Sequence, residues 1–253
     1  MTADEYLHGI LKREAVDTGP FAPVRGCQTL LLPHLREWAG GQLVSVSPSG
    51  SFAKGTANAS GTDIDLFISL KEDTRNPLGE IYDSLFEKLR AKQLSPRRQN
   101  VSIGVRIRGF DVDLVPARRQ GPVGEDHSLY RNRADTWTKT NVARHIALVA
   151  SSGRRNEIRV LKLWRNQKNL DFPSFYLELT AIEALKGGAT GSLSTNILQV
   201  FEYLRDRFET ARVIDPANTN NVLSDELTQA AKAAIRQAAT DAIRAAYWEE
   251  IVQ

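Results

Sequence analysis

Three aspartates in two strand-like segments constrain this chain more than any other feature of its 253 residues. Asp63 and Asp65 flank a single isoleucine, and Asp113 lies in the apolar segment 110–115. Side chains alternate along a β-strand, so Asp63 and Asp65 are expected to point to the same side. Neighbouring carboxylates repel each other and are costly to desolvate unless a cation lies between them. The pattern therefore predicts two strands that bring carboxylates to one cation site.

A divalent cation suits these ligands best. Mg²⁺ takes oxygen ligands, typically one or two carboxylates together with substrate phosphates, and Mn²⁺ is the expected substitute. A third carboxylate would complete a two-metal site, in which one ion activates a hydroxyl and the other neutralises a leaving pyrophosphate. We assign this position to Asp113, because apolar residues follow it as they follow Asp65. Asp111 faces the same side of the strand and is the alternative.

A glycine-serine pair precedes the aspartates and predicts a phosphate-binding turn. Gly50 would let the backbone approach a phosphate closely, and the following amides could cradle a triphosphate. The hydroxyls of Ser51 and Thr56 and the ammonium of Lys54 are natural phosphate contacts. A lone Gly-Ser is most often a surface turn, and a lone Asp-x-Asp is most often a solvated strand end. The combination with a further strand aspartate is specific.

The order of predicted elements indicates an α+β fold. Strands are expected in the first half of the chain and helices from about residue 136 onward, so we predict a catalytic domain at 1–125 and a helical domain at 126–253. Proline is expected to break or kink the first helical region at Pro20, Pro23 and Pro33. The predicted strands are 42–48, 63–70, 101–107 and 110–115, and the predicted helices include 78–92, 142–149, 157–167, 176–185, 197–210 and 226–251.

Composition excludes several classes of protein. The single cysteine, Cys27, rules out an intrachain disulfide and a cysteine-based metal site, and it favours a cytoplasmic location. No apolar run approaches the roughly 20 residues needed to span a bilayer, so no membrane partner is expected. The net charge is +3, and basic residues are frequent between positions 97 and 168. Such a field suits phosphate-bearing ligands.

The segments that carry these features resemble a known family. Residues 50–56 (GSFAKGT) together with 63–66 (DIDL) look like the active-site signature of the polymerase β nucleotidyltransferase superfamily. Residues 112–117 (VDLVPA) resemble the third-aspartate strand of one branch, which contains oligoadenylate synthases, cyclic GMP-AMP synthase, bacterial CD-NTases and archaeal-type CCA-adding enzymes. The resemblance implies a polymerase β-like core, a mixed sheet with helices, and a C-terminal helical domain that closes the active-site cleft.

The resemblance continues in the helical half. Residues 157–164 look like the helix that supplies a triphosphate-binding lysine, here Lys162, which interrupts an apolar run. Residues 173–178 are similar to the next segment, where a serine touches the phosphates and an aromatic residue stacks on the base. Those positions are Ser174 and Phe175. The alternatives are that Lys162 extends to solvent and that Phe175 packs in the core.

A late segment, Asp215-Pro-Ala-Asn, discriminates within the branch. It looks like a segment of oligoadenylate synthases and CD-NTases, and it favours these over CCA-adding enzymes. Asp-Pro with clustered asparagines makes a good turn, so the motif is expected to structure a loop and not to be catalytic.

The resemblance implies a template-independent nucleotidyltransferase that uses nucleoside triphosphates, ATP and potentially another, with two metal ions. Its product would be a cyclic or linear oligonucleotide second messenger in bacterial anti-phage signalling. A protein activator or downstream effector is an expected type of partner, and stable nucleic-acid binding is not required. The alternatives are a CCA-adding or RNA-tailing enzyme, a toxin-type transferase acting on a macromolecule, and a non-catalytic nucleotide-binding module.

Overall fold

The computed structural model describes residues 1–17, 19, 21–61, 63–188 and 191–253. Its strands are β1 Leu43–Pro48, β2 Ile64–Leu70, β3 Arg97–Arg98, β4 Ile103–Ile107, β5 Phe110–Arg119, β6 His127–Arg131, β7 Thr136–Thr140, β8 Ile214–Asp215 and β9 Asn218–Val222. Its α-helices are α1 Ala3–Arg13, α2 Pro23–Ala39, α3 Gly50–Lys54, α4 Leu78–Ala91, α5 Val142–Ser151, α6 Arg155–Gln167, α7 Ser174–Ala184, α8 Leu193–Asp206, α9 Gln229–Arg244 and α10 Trp248–Ile251. The α+β class is therefore confirmed.

The chain divides into two compact units, and neither is continuous in sequence. The sheet unit comprises Asp17–Gly55 and Gly61–Ile146. The helical unit comprises Met1–Val16, Thr56–Ser60 and Ala147–Gln253. This division differs from the expected boundary at residue 125, because β6 and β7 extend the sheet, while α1 packs on α6 and α8.

A mixed sheet organises the sheet unit. Its seven described strands run in the order β1-β2-β5-β4-β3, with β6 paired to β5 and β7 paired to β6. β2 and β5 are parallel, whereas the remaining pairs are antiparallel. The apolar side chains of β2, β4 and β5 form one core with those of α2 and α4, including Leu35, Ile64, Leu85 and Leu114. The buried faces of these helices therefore hold the central strands in place.

The prolines near the start of the chain have different outcomes. Pro23 is the first residue of α2, where its missing amide hydrogen costs nothing. Pro33 lies inside α2, which continues to Ala39, so the helix is not broken there. Leu31 and Leu35 are both buried, and burial of this face offsets a proline cost of roughly 3 kcal/mol. Pro20 lies outside the described residues.

Two other expectations about elements need correction. The chain is not helical from residue 136, because β7 occupies Thr136–Thr140 and pairs with β6. The expected helix at 226–251 is instead the separate helices α9 and α10. The break occurs where Ala245 and Tyr247 adopt extended backbone conformations.

The helical unit has its own apolar core. Leu7 and Ile10 of α1 are fully buried in it, together with Trp164 of α6 and Phe201 of α8. The rings of Trp164 and Phe201 lie 4.9 Å apart between centroids, which is a favourable aromatic distance. Among the described residues, no helix combines the length and apolar character needed to cross a membrane.

Candidate active site

The parallel pairing of β2 and β5 brings two of the predicted aspartates together. Asp65 is the register partner of Asp113, so the two side chains project from the same face of the sheet. Ile64 and Leu66 are fully buried on the opposite side, as a period of two requires. Asp63 immediately precedes β2 and is exposed. The strand pattern therefore places polar side chains at one end of an otherwise apolar strand.

Gly50 joins the glycine-serine turn to this cluster. Its φ angle is +56°, and an added Cβ would lie only 1.7 Å from Oδ2 of Asp65. The amide of Ser49 also donates a hydrogen bond of 2.8 Å to the Asp65 carbonyl. Only glycine fits here, because a side chain would overlap the Asp65 carboxylate. Ser51 follows, half-buried, and Lys54 is buried at the end of α3.

The carboxylates of the cluster disfavour one another's charge. Burial raises the pKa of Asp113, and the nearby Asp63 raises it further. Asp63, although exposed, is partly desolvated by its surroundings, which raises its pKa; Asp111 adds to the effect, while Arg97 acts in the opposite direction. A cation beside these groups would offset their repulsion. Among the described residues, no group of three or more His, Cys, Asp or Glu forms a metal-ligand cluster, so the three-aspartate site stays a prediction.

Asp111 and Asp113 have different hydrogen-bond partners. Arg97 Nη2 lies 2.7 Å from Oδ1 of Asp111, in an ion pair whose side chains are 64% and 39% exposed. Gln99 Nε2 instead donates to Oδ1 of Asp113 at 2.8 Å. The register with Asp65 and the uncharged partner both favour Asp113 as the third aspartate. Sequence reasoning missed Gln99, because a single amide in a loop carries no recognisable signal.

Lys162 and Thr56 meet in the helical unit. Lys162 Nζ donates to Glu178 Oε1 at 2.6 Å and to Thr56 Oγ1 at 2.9 Å, and the Thr56 hydroxyl lies 3.2 Å from the same Glu178 oxygen. The side chains of Lys162 and Glu178 are only 8% and 1% exposed. The alternative that Lys162 extends to solvent is therefore wrong. Contact of Lys162 and Thr56 with a triphosphate stays a prediction, and Glu178 was not foreseen.

Ser174 and Phe175 begin α7. The Ser174 hydroxyl is exposed and accepts a hydrogen bond of 2.9 Å from Arg165 Nη1, which also donates to the carbonyl of Phe172. Phe175 is half-buried and packs against the core of the helical unit, as the core-packing alternative expects. Contact of Ser174 with phosphate and stacking of Phe175 on a base stay predictions.

The late Asp-Pro motif forms a hairpin between β8 and β9. Asp215 is buried, and its Oδ1 accepts the amide of Ala217 at 2.8 Å, while its Oδ2 accepts the Asn221 side chain at 3.3 Å. This closes the turn at Pro216, so the expected structural role is confirmed.

Comparisons with known proteins found a matching family model and a similar enzyme. Residues 35–117 match the family model of the nucleotidyltransferase domain, which covers the glycine-serine turn and all three aspartates. The chain is similar to the cyclic AMP-AMP-AMP synthase of Escherichia coli (strain MS 115-1), with 27% identity over 85% of this chain and 79% of that protein.

Solved structures share the fold. CdnC of E. coli MS115-1, solved with ATP, superposes with a TM-score of 0.79 at 23% identity. The superposition covers 96% of this chain and 91% of the CdnC chain. CdnC is also known in a CdnC:HORMA-deltaN complex, with a TM-score of 0.69, 25% identity and coverage of 87% and 81%. The Bradyrhizobium diazoefficiens CD-NTase CdnG, solved with GTP, gives 0.78 at 15% identity, with coverage of 94% and 89%.

An RNA-tailing enzyme has a related fold. The Cid1 poly(U) polymerase superposes with a TM-score of 0.68 at 13% identity, covering 95% of this chain and 93% of its own. The expected resemblance to CD-NTases of the nucleotidyltransferase superfamily is confirmed by the family model, the synthase and the CD-NTase structures together.

Proposed function

We propose that this chain is a template-independent nucleotidyltransferase of the CD-NTase type, which joins nucleoside triphosphates into a cyclic or linear oligonucleotide. One observation carries the proposal: Gly50 lies directly against the Asp65 carboxylate, and Asp65 is the register partner of Asp113. This juxtaposition links a phosphate-binding turn to a pair of metal-binding side chains. The synthase from E. coli extends the argument from the fold to the reaction.

The three aspartates suit a pair of divalent cations. Carboxylates are acceptor-only oxygen ligands. Desolvation first, and repulsion between the aspartates second, raise the pKa values of Asp63 and Asp113, and a cation would offset both effects. Asp63 and Asp65 would hold both ions, and Asp113 would hold the one beside the acceptor hydroxyl. Such ions, Mg²⁺ or Mn²⁺, supply activation of that hydroxyl and neutralisation of the leaving pyrophosphate.

The chain's other proposed roles concern the nucleotide. Gly50 lets the main chain approach the phosphates, while Ser51 and Lys54 supply a hydroxyl and an ammonium for them. The roles of Thr56, Lys162, Ser174 and Phe175 in nucleotide binding rest on the family resemblance.

The biological setting follows from the relatives. ATP is the first substrate to test, because the similar synthase makes cyclic AMP-AMP-AMP and CdnC is known with ATP. The complex of CdnC with HORMA-deltaN supports a protein as a partner type. Anti-phage signalling rests on the family resemblance, and a cytoplasmic location rests on the cysteine content.

The proposal is tested by incubating the purified protein with four labelled ribonucleoside triphosphates and Mg²⁺ or Mn²⁺, followed by phosphatase treatment. We expect a phosphatase-resistant product that disappears in Asp63→Asn and Asp65→Asn. The matched control is Asp73→Asn, an exposed aspartate of the same unit, which should leave synthesis unchanged. Continued synthesis by a folded Asp63→Asn protein would refute the three-aspartate assignment.

The RNA-tailing alternative comes from the sequence, and the poly(U) polymerase Cid1 shares only the fold, at 13% identity. It is tested by adding total tRNA to the same reaction. Transfer to the RNA without any product from nucleotides alone would support it. Binding of ATP without transfer in either reaction would support a non-catalytic module.

A further inference from the structure

Gln99 lies near the aspartates, and both ends of its side-chain amide are hydrogen-bonded. Its amide nitrogen donates to Asp113 Oδ1 at 2.8 Å, while its amide oxygen accepts from the Ser102 hydroxyl at 2.6 Å. An ionised carboxylate can only accept hydrogen bonds, so it selects the nitrogen end of the amide. The Ser102 hydroxyl then satisfies the oxygen end. The orientation of the amide is therefore determined by its two neighbours.

The backbone of the same turn is also anchored. The hydroxyl of Tyr82, a fully buried residue of α4, lies 2.9 Å from the carbonyl oxygens of both Gln99 and Ser102. The backbone amide of Gln99 donates a hydrogen bond to the same hydroxyl at 3.0 Å. The turn at 99–102 is thus bound to a core helix, and the side chain of Gln99 starts from a fixed position.

Gly104 provides the space for this contact. It is the register partner of Asp113 on β4, and an added Cβ would lie 2.9 Å from Gln99 Nε2 and 3.2 Å from Asp113 Oδ1. Any side chain at this position would push the amide away from the carboxylate. The absence of a side chain at Gly104 on β4 therefore leaves room for the Gln99 amide beside Asp113.

The chemistry of the donor matters as much as its position. Asp111 is paired with a cation, Arg97, whereas Asp113 receives a hydrogen bond from an uncharged amide. A neutral donor orients a carboxylate without neutralising it, so the full negative charge stays available to a metal ion. The bond engages Oδ1, so Oδ2 is the oxygen that we assign to the metal ion.

We propose that Gln99 is a positioning residue for Asp113, which holds this carboxylate in the orientation that binds a divalent cation. The inference rests on the proposed function, because it takes Asp113 to be a metal ligand. Ser102 supports the role by fixing the amide, and Tyr82 supports it by fixing the turn.

The test uses Gln99→Met, which keeps the side-chain length but removes the donor, and Ser102→Ala, which keeps the donor but releases its orientation. Mn²⁺ binding to the nucleotide-free full-length protein is measured by the loss of the free-ion signal in electron paramagnetic resonance. Partners of metal ligands typically change affinity by about 10-fold to 100-fold. We expect Gln99→Met to weaken Mn²⁺ binding about tenfold and Ser102→Ala to weaken it less. The matched control, Gln120→Met, alters an exposed glutamine of the same unit and should bind as the wild type does.

A second measurement separates positioning from a structural role. Synthesis by Gln99→Met should show a lower kcat with an unchanged KM for ATP, and high Mg²⁺ should restore it. A lowered Tm with unaltered Mn²⁺ binding would overturn the proposal.

The variant Asp113→Asn distinguishes failure of this inference from failure of the proposed function. If Asp113→Asn loses Mn²⁺ binding and synthesis while Gln99→Met matches the wild type, only the positioning role is refuted. If Asp113→Asn binds Mn²⁺ and makes product as the wild type does, the metal site itself is refuted.

Discussion

At the scale of single residues, the closest approach at the candidate site is between Gly50 and Asp65. The sequence supports a glycine here for its small size next to a phosphate. The structure adds a second reason, because a Cβ would lie 1.7 Å from the Asp65 carboxylate. The identity of this residue therefore depends on an aspartate that follows it in the chain, as well as on its own backbone angle.

This contact leads to a prediction for Gly50→Ala. The new methyl group must displace the Asp65 carboxylate, and a misplacement of about 1 Å can reduce a rate roughly 100-fold. We expect synthesis to fall by about that factor. The positive φ adds a cost of about 1–2 kcal/mol to folding. Both effects are measured by product formation and by chemical denaturation.

Gly109→Ala is the matched control for this prediction. Gly109 also has a positive φ, +88°, but an added Cβ would meet no atom within 4 Å. Its substitution should cost similar stability and leave synthesis intact. Equal loss of synthesis in both variants would show that backbone strain, rather than contact with Asp65, explains the effect.

Residue types and spacing predicted that Asp65 and Asp113 lie on neighbouring strands near the glycine-serine turn, because alternation along a strand is a local property. The metal-binding roles of the three aspartates stay predictions. The partners of these residues were not predictable in the same way. Gln99 reaches Asp113 through a turn and a neighbouring strand, and Glu178 reaches Lys162 from the next helix. Such contacts depend on the tertiary arrangement, and no local pattern encodes them.

At the scale of secondary structure, apolar strands were predicted well and polar strands were not. β2 and β5 have long apolar stretches with aspartates at regular positions. β6 and β7 carry His127, Arg131, Thr136 and Lys139, and they form because β5 extends beyond the core and offers further pairing. Polar strands of this kind depend on their neighbours more than on their own composition.

The ion pair between Lys162 and Glu178 links α6 to α7. Removing one partner of a buried ion pair leaves an uncompensated charge, which typically costs about 3–5 kcal/mol. We expect Glu178→Ala to destabilise the protein by this amount in chemical denaturation. Glu178→Gln should cost less, because it keeps an acceptor for the ammonium.

Glu183→Ala on the same helix provides the comparison. Glu183 pairs with Lys186 at 3.5 Å, and their side chains are 56% and 75% exposed, so about 0–1 kcal/mol is expected. If Glu178→Ala were no more destabilising than Glu183→Ala, the Lys162–Glu178 pair would contribute little to the helical unit.

At the scale of the whole molecule, the free energy of unfolding depends on pH through several carboxyl groups. Their contributions have opposite signs. The folded state raises the pKa of Asp63 and Asp113, mainly by burial, and lowers the pKa of Asp126 and Asp206, mainly through hydrogen bonds from Lys139 and Arg205. A carboxyl with a raised pKa binds protons more readily when folded, so it lowers stability as the pH rises through its titration range. A carboxyl with a lowered pKa acts in the opposite direction.

Asp113→Asn isolates one contribution to this sum. In the metal-free protein at neutral pH, we expect the variant to have a higher Tm than the wild type, because it removes a charge that folding disfavours. The gain should shrink as the pH falls towards the ordinary pKa of an aspartate, 3.8, where Asp113 becomes protonated in both states. Thermal denaturation in a chelating buffer across this range provides the measurement.

Asp206→Asn should show no such gain, because the hydrogen bond from Arg205 lowers the pKa of that carboxyl. The contrary result is a Tm for Asp113→Asn equal to or below that of the wild type at neutral pH. It would mean that the Asp113 charge does not destabilise the folded protein.

The discontinuous composition of the helical unit has a consequence for how the chain acquires its structure during synthesis. Helix α1 is translated well before α6 and α8, on which it packs. The sheet unit is translated in between, so it can complete its core while Leu7 and Ile10 still have no apolar surroundings. Helix α1 is therefore buried later than the sheet core that is translated after it.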